Sequence, residues 1–209
     1  MKQIITRKKQ LEMALQRIPS NPSPNIQFEQ YLTPTKIAAD VLWNAYALGD
    51  VEEKKVIDLG CGTGIFTIGA ALLGAKESLG VDIDSETLRV AKLEAEHFGV
   101  ENRVKFIHSD IEDFSSRADT VIQNPPFGAQ KAHRKKADRL FMQKALEIAP
   151  TVYSFHIKET EKFVNNYFNS LGGLLTHKFY YEFVIPRIYH FHEKEKININ
   201  VMVVRVIKS

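Results

Sequence analysis

A single cysteine in 209 residues, Cys61, leaves no intramolecular disulfide framework and no cysteine-based zinc site. Nowhere do eighteen apolar residues run together, so no segment has the character of a membrane-crossing helix, and the N-terminus lacks an apolar signal core. These absences place the expected location in the cytoplasm, or in the nucleus if the source is eukaryotic, with no membrane partner. Charge of one sign is also scarce. Lys and Arg number 28 against 25 Asp and Glu, and the net +3 does not by itself imply nucleic acid. His156, His177, His190 and His192 scatter across expected strands without ligand spacing, so no metal site is expected. The hydrophobic content of 44% and charged content of 25% are ordinary for a globular protein, and the length suits one domain with a substantial core.

Periodicity then orders the chain. Ile4, Leu11, Leu15 and Ile18 recur at helical spacing, predicting an amphipathic helix over residues 3–18, which the proline-rich stretch from Pro19 to Pro24 stops. Thr33-Pro34 reads as an N-cap followed by proline at the first helical position, opening a helix to about Leu48. From Lys55 strands alternate with helices: strands at Val56–Leu59, Ser78–Asp82, Val104–Ile107, Asp119–Gln123 and Thr151–Phe155, helices between them, and a further helix from Glu159 to Ser170. Residues 129–137 read as a basic loop, and 137–149 as helix. Two long β runs close the pattern, Leu174–Ile185 and Ile199–Ile207, with no helix between, so they are expected to pair antiparallel at the end of the sheet. The fold class is α/β, a mostly parallel sheet with helices on both faces.

Asp58-Leu-Gly-Cys-Gly-Thr-Gly64 turns a strand into a helix. Gly60, Gly62 and Gly64 permit positive φ and a close backbone approach to a ligand. The spacing is G-x-G-x-G, and Asp58 precedes it; a carboxylate there would repel pyrophosphate but suits a cationic amino-acid end. S-adenosylmethionine has such an end and no phosphate, which favours it over a variant dinucleotide. Thr63, inside the turn, joins the expected cofactor residues. Asp82 ends the second strand, where an acidic residue accepts from ribose hydroxyls; Asp84 is the alternative for that role, or it simply caps the next helix. Asp110, after the third strand, can accept from an adenine amino group.

Asn124-Pro125-Pro126-Phe127 closes the fourth strand sixty residues beyond Gly64. Such a string arises by chance in roughly one chain of this length in several hundred. The Asn124 side-chain oxygen and the Pro125 carbonyl can hold the two N–H bonds of a planar amine, the prolines keep both acceptors stiff, and Phe127 can stack on the ring. Positioning and electrostatics would carry the methyl transfer, without a strong general base. The bland alternative is a rigid proline turn with a core phenylalanine.

These motifs resemble the class I S-adenosylmethionine-dependent methyltransferases that carry Asn-Pro-Pro-Phe, and more narrowly the methyltransferase-like enzymes that form N6-methyladenosine in small-subunit ribosomal RNA. The likeness runs over nearly the whole chain: Glu29-Gln-Tyr31 with Thr33, Asp58 to Gly62, Gly80 to Asp84, Asn124 to Gly128, and Tyr189-His-Phe-His192. It implies a single methyltransferase domain over 1–209, with N-terminal helices and a cofactor-closing segment in 1–50 and the catalytic core in 51–209. It implies a Rossmann-like, seven-stranded sheet of order 3-2-1-4-5-7-6 with strand 7 antiparallel. It gives Gln30 and Thr33 a role in closing over the cofactor, and Asn124 a place beside both cofactor and substrate. Some members need a small zinc-binding activator subunit.

The expected reaction is therefore methylation of adenine N6 in RNA, most specifically ribosomal RNA, on a base swung out of any stack. Lys131, Arg134, Lys135 and Lys136 would contact the RNA backbone, with Phe191 and His192 near the substrate pocket. Guanine-N2 of RNA and the glutamine-N5 amide of a protein are alternative amines, and a non-catalytic, cofactor-binding assembly module is the alternative of another class.

Overall fold

The computed structural model of the chain describes residues 5–19, 33–125, 131–186 and 196–209. In the first half, α1 (Lys8–Leu15) and α2 (Thr35–Ala47) precede β1 (Lys55–Leu59), α3 (Ile65–Leu72), β2 (Glu77–Asp82), α4 (Ser85–His97) and β3 (Val104–His108). The second half holds β4 (Thr120–Gln123), α5 (Lys131–Ile148), β5 (Thr151–Ile157), α6 (Glu161–Ser170), β6 (Gly173–Pro186) and β7 (Lys196–Lys208).

The strands form one sheet in the order β3-β2-β1-β4-β5-β7-β6, with β7 antiparallel to both of its neighbours and every other strand pointing the same way. Central strands buried on both faces are apolar almost throughout, as Val56, Ile57 and Leu59 of β1 illustrate. Helices α1 to α4 pack on one face, around Leu15, Leu42, Ile68 and Phe155, and α4 adds Ala95. Helices α5 and α6 cover the other through Met142, Leu146, Val164 and Phe168.

Three local readings are corrected. The first helix begins at Lys8, because Gln10 Oε1 accepts the backbone N–H groups of Thr6 (2.9 Å) and Arg7 (3.1 Å) and holds them outside the helix; Ile4 lies outside the described residues. Pro34, not Thr33, is the N-cap of α2, and no side chain caps it. Helix α5 starts at Lys131, so most of the segment read as a basic loop is helical. Lys, Arg and Ala are good helix formers, and neither Gly nor Pro interrupts residues 131–148.

At the amino end of the parallel strands, a buried ion pair ties the loop after α2 to the sheet. Arg205 grips Asp50 through Nε (2.7 Å) and Nη2 (3.1 Å), and Tyr153 Oη donates to the same carboxylate at 2.6 Å. Thr120 Oγ1 donates to the Asp50 carbonyl at 2.7 Å. At the opposite, carboxyl end, the β6–β7 ladder runs on past β5: β5 stops at Ile157 opposite Val201, whereas β6 stays paired with β7 as far as Pro186 and Lys196.

Candidate active site

The order of the sheet reverses between β1 and β4, and in open α/β sheets ligands bind at the carboxyl ends beside such a switch. The glycine turn follows β1 and Asn124 follows β4, so the two motifs recognised in the sequence are brought to one place.

The turn is built to present backbone. Gly60, Gly62 and Gly64 have φ of 73°, 52° and 87°, and Gly64 in its left-handed conformation caps α3. The N–H groups of Gly60 and Cys61 both donate to the Val81 carbonyl, at 2.8 and 3.0 Å. Gly62 N–H donates to Asp82 Oδ2 at 2.7 Å, while Asp82 Oδ1 accepts Asp84 N–H at 2.9 Å. Asp82 thus fastens the turn to the end of β2, and its acceptor lone pairs are only partly used. Burial raises its carboxyl above the ordinary aspartate value, against the two backbone hydrogen bonds. Asp84 caps α4, accepting from Glu86 N (2.9 Å) and Thr87 N (3.4 Å), which is the alternative weighed from sequence. Gly80 below has no room for a side chain: a Cβ there would come within 2.7 Å of Phe106 and 2.8 Å of Cys61 Sγ.

Asp58 is 1% exposed. Its Oδ2 accepts Thr67 N–H (3.0 Å) and Thr67 Oγ1–H (2.7 Å), so the carboxylate anchors the first turn of α3 beneath the glycines. Burial pushes its carboxyl up to about 7, against these hydrogen bonds, with Asp82 nearby adding to the rise. At that depth its charge reaches a ligand as a field through the turn. Thr63 Oγ1, by contrast, is buried with no partner among the described residues. An unpaired hydroxyl inside a cradle of positive-φ glycines fits a polar ligand that completes it. Asp110 is exposed beyond β3, with Oδ1 accepting Glu112 N–H at 2.9 Å, and Ser109 N–H donates to the Asp82 carbonyl at 3.0 Å. Asp82 and Asp110 therefore lie at neighbouring strand ends.

Across the switch, Asn124 Nδ2 donates to Thr33 Oγ1 at 2.9 Å, and Thr33 is buried. Thr33, expected to cap α2, instead accepts the Asn124 amide proton and orients that side chain. With the amide donor so committed, Oδ1 is the atom left over, buried and without a partner among the described residues. Pro125 is buried beside it. Phe127, Gln30, Phe191 and His192 lie outside the described residues. Lys131, Arg134, Lys135 and Lys136 occupy the first two turns of α5, after the segment that follows Pro125.

One feature was not read from the sequence. Gln123 Nε2 donates to Ser154 Oγ at 2.9 Å, and Ser154 Oγ meets His156 Nε2 at 2.8 Å, all three side chains buried. Ser154 Oγ accepts the Gln123 amide proton, and which partner donates between Ser154 and His156 Nε2 follows the histidine tautomer. Burial lowers the His156 pKa to about 3, so the ring stays neutral. Alternate positions along β4 and β5 could have suggested the pairing, but the neighbour relation of these strands is set by topology. Gln123 Oε1 is a further buried acceptor without a partner among the described residues. Among those residues no group of three or more His, Cys, Asp or Glu could hold a metal ion, and no helix is long and apolar enough to cross a membrane.

The family model described as Ribosomal protein L11 methyltransferase matches residues 34–125, which hold the glycine turn and end one residue past Asn124. Likeness to other proteins runs further. An uncharacterised protein of Methanocaldococcus jannaschii is 42% identical, covering 97% of this chain and 94% of its own length. The rRNA N(6)-adenosine-methyltransferase METTL5 of Danio rerio is 33% identical, covering 94% of this chain and 97% of its own. The crystal structure of a candidate RNA methyltransferase from Pyrococcus horikoshii superposes with a TM-score of 0.88 at 41% identity, covering 98% of this chain and 99% of that one. Fold, paired motifs and end-to-end likeness agree: this chain belongs to the class I S-adenosylmethionine-dependent methyltransferase family that includes METTL5.

Proposed function

We propose that this protein transfers a methyl group from S-adenosylmethionine to the N6 amine of an adenine in ribosomal RNA, with the small-subunit RNA as its target. The observation that carries the reading is the Asn124 side chain, whose Nδ2 is held by Thr33 while Oδ1 is buried without a partner among the described residues. A buried acceptor without a donor costs about 1–3 kcal/mol, a penalty relieved by a substrate N–H. An exocyclic adenine amine provides that N–H. Its nitrogen lone pair is delocalised into the ring, and acceptors at Asn124 Oδ1 and the Pro125 carbonyl favour the pyramidal nitrogen that can attack. Bound S-adenosylmethionine supplies an electrophilic methyl carbon on a sulfonium. The N–C bond forms as the C–S bond breaks, and the amine proton leaves to solvent.

Gly60, Gly62, Thr63 and Gly64 would hold the amino-acid end of the cofactor, Asp82 the ribose and Asp110 the adenine. Asp58 would favour the cationic end through its field, with Gln30 closing from the N-terminal side and Phe127 stacking on the substrate base. Lys131, Arg134, Lys135 and Lys136 would meet RNA phosphates, with Phe191 and His192 by the pocket. All of this fits one methyltransferase domain working in the cytoplasm, or in the nucleus of a eukaryotic source. A small zinc-binding activator is the proposed second partner. The open edge strand β3 exposes Ile107, and Ile83 is exposed beside His108, the apolar character such a subunit would cover.

A protein as substrate finds its support in the match to the L11 methyltransferase model, but that match is confined to the part with the cofactor turn and the first acceptor. The name of the Danio rerio relative, which is alike over almost its whole length, favours adenine in ribosomal RNA. The test is incubation with labelled S-adenosylmethionine and unmodified ribosomal RNA, followed by nucleoside mass spectrometry. Labelled N6-methyladenosine is expected, and Asn124→Ala should lower turnover by at least a hundredfold while changing cofactor affinity little. Label on guanosine or on protein would move the substrate. No label, with or without an added activator, would leave a cofactor-binding assembly module.

A further inference from the structure

Helix α5 is strongly basic. It carries Lys131, Arg134, Lys135, Lys136, Arg139 and Lys144 against only Asp138 and Glu147, so it holds more net positive charge than the +3 of the entire chain. Arg139 is the distinctive member. Its guanidinium carbon lies 5.5 Å from the ring centroids of both Phe163 and Tyr167 on α6, and those rings stack on each other at 5.7 Å with an interplanar angle of 12°. The side chain is exposed and has no hydrogen bond or ion pair among the described residues, so its five N–H donors face solvent. Two residues on, the ring of Phe141 lies 3.6 Å from where a Gly60 Cβ would be. Residues two apart on a helix point to nearly opposite sides. Arg139 therefore stands near the height of the glycine turn, on the flank turned towards α6. Helix α6 follows the carboxyl end of β5, so its first turns lie at the end of the sheet that carries Asn124.

We infer that Arg139, held on Phe163 and Tyr167, binds a backbone phosphate of the RNA strand flanking the target nucleotide, extending a basic track from the start of α5 towards α6. The inference rests on the RNA reading above. A guanidinium already laid on an aromatic platform keeps its planar donor edge outward and loses little freedom on binding. Its place on the outer flank of α5 suits a neighbouring nucleotide and not the reacting base, so it should govern affinity and leave the chemical step alone.

Arg139→Met is the informative variant, because methionine still covers the two rings while the charge is gone. With unmodified ribosomal RNA as substrate, its KM for RNA should rise about tenfold. The slope of log KM against log salt should fall by about one, the signature of one lost phosphate contact. The kcat at saturating RNA and the affinity for S-adenosylmethionine should stay at wild-type values. Arg139→Lys should keep the salt slope and recover part of the affinity. An unchanged KM in Arg139→Met, or a raised KM with an unchanged slope, would mean that Arg139 only shields the rings, and the inference would fall. If the wild-type protein methylates no RNA at all, the substrate reading fails and this one with it; if wild type methylates RNA and Arg139→Met matches it, only this one fails.

Discussion

Burial of Asp58 couples its protonation to folding. The folded protein holds this proton up to about pH 7, whereas an unfolded chain releases it near 3.8. The stability contributed by that proton is complete below pH 3.8 and is lost as pH rises towards 7, a cost of up to roughly 4 kcal/mol. Asp58→Asn keeps an oxygen for Thr67 and removes the charge. Its cofactor-free form should melt higher than wild type at pH 8 and alike near pH 4, while S-adenosylmethionine binds several-fold more weakly; calorimetry at both pH values reads both effects. That Asp58 and the glycines form a tight turn from strand into helix was legible in the sequence, since residue type and spacing carry it. That Asp58 anchors Thr67 beneath the turn was not, because the bond depends on how α3 enters the sheet. Thr33 shows the same limit: Thr-Pro is a sound helix-start signal, yet Asn124, 91 positions away, takes the hydroxyl.

Helices and strands were placed from hydrophobic period with errors at their ends. Helix α5 is the instructive case: its apolar period begins at Leu140, so its charged first turns read as loop although their propensity is helical. Between elements, the Gln123–Ser154–His156 chain is the polar tie of β4 to β5 on the α6 face, and it sits immediately before Asn124. Ser154→Ala would leave the amide of Gln123 and the ring of His156 without partners. We expect a loss of about 1–3 kcal/mol in denaturant unfolding, and a fall in kcat exceeding any change in cofactor affinity, because the strand end that aims Asn124 loosens. Equal activity per folded molecule would make the chain purely structural. His156 contributes its own pH term: with its pKa depressed to about 3, stability is full above the ordinary histidine value and declines as pH falls through that range.

At the scale of the molecule, the two ends of the sheet do different work. Among the described residues, the carboxyl end keeps buried polar atoms without hydrogen-bond partners, whereas the amino end closes its network around Asp50, Tyr153 and Arg205. Removing one member of a buried, hydrogen-bonded ion pair strands the other, so Arg205→Ala should destabilise by about 3–5 kcal/mol in urea unfolding while the surviving folded fraction keeps its cofactor affinity. Reduced affinity at temperatures where the protein remains folded would show that the ends are coupled. The alternation of strands and helices made the sheet and its antiparallel finish legible, but the pairing of Asp50 with Arg205 joins distant residues and could not be read from local pattern. The position of β7 between β5 and β6 bears on the path of folding. Strand β6 precedes β7 in the chain yet touches the sheet only through it. It can join in two ways: as half of a hairpin already formed in solution, or after β7 has docked on β5. In pulsed hydrogen exchange during refolding, the first route would protect β6 and β7 together, and the second would protect β7 ahead of β6.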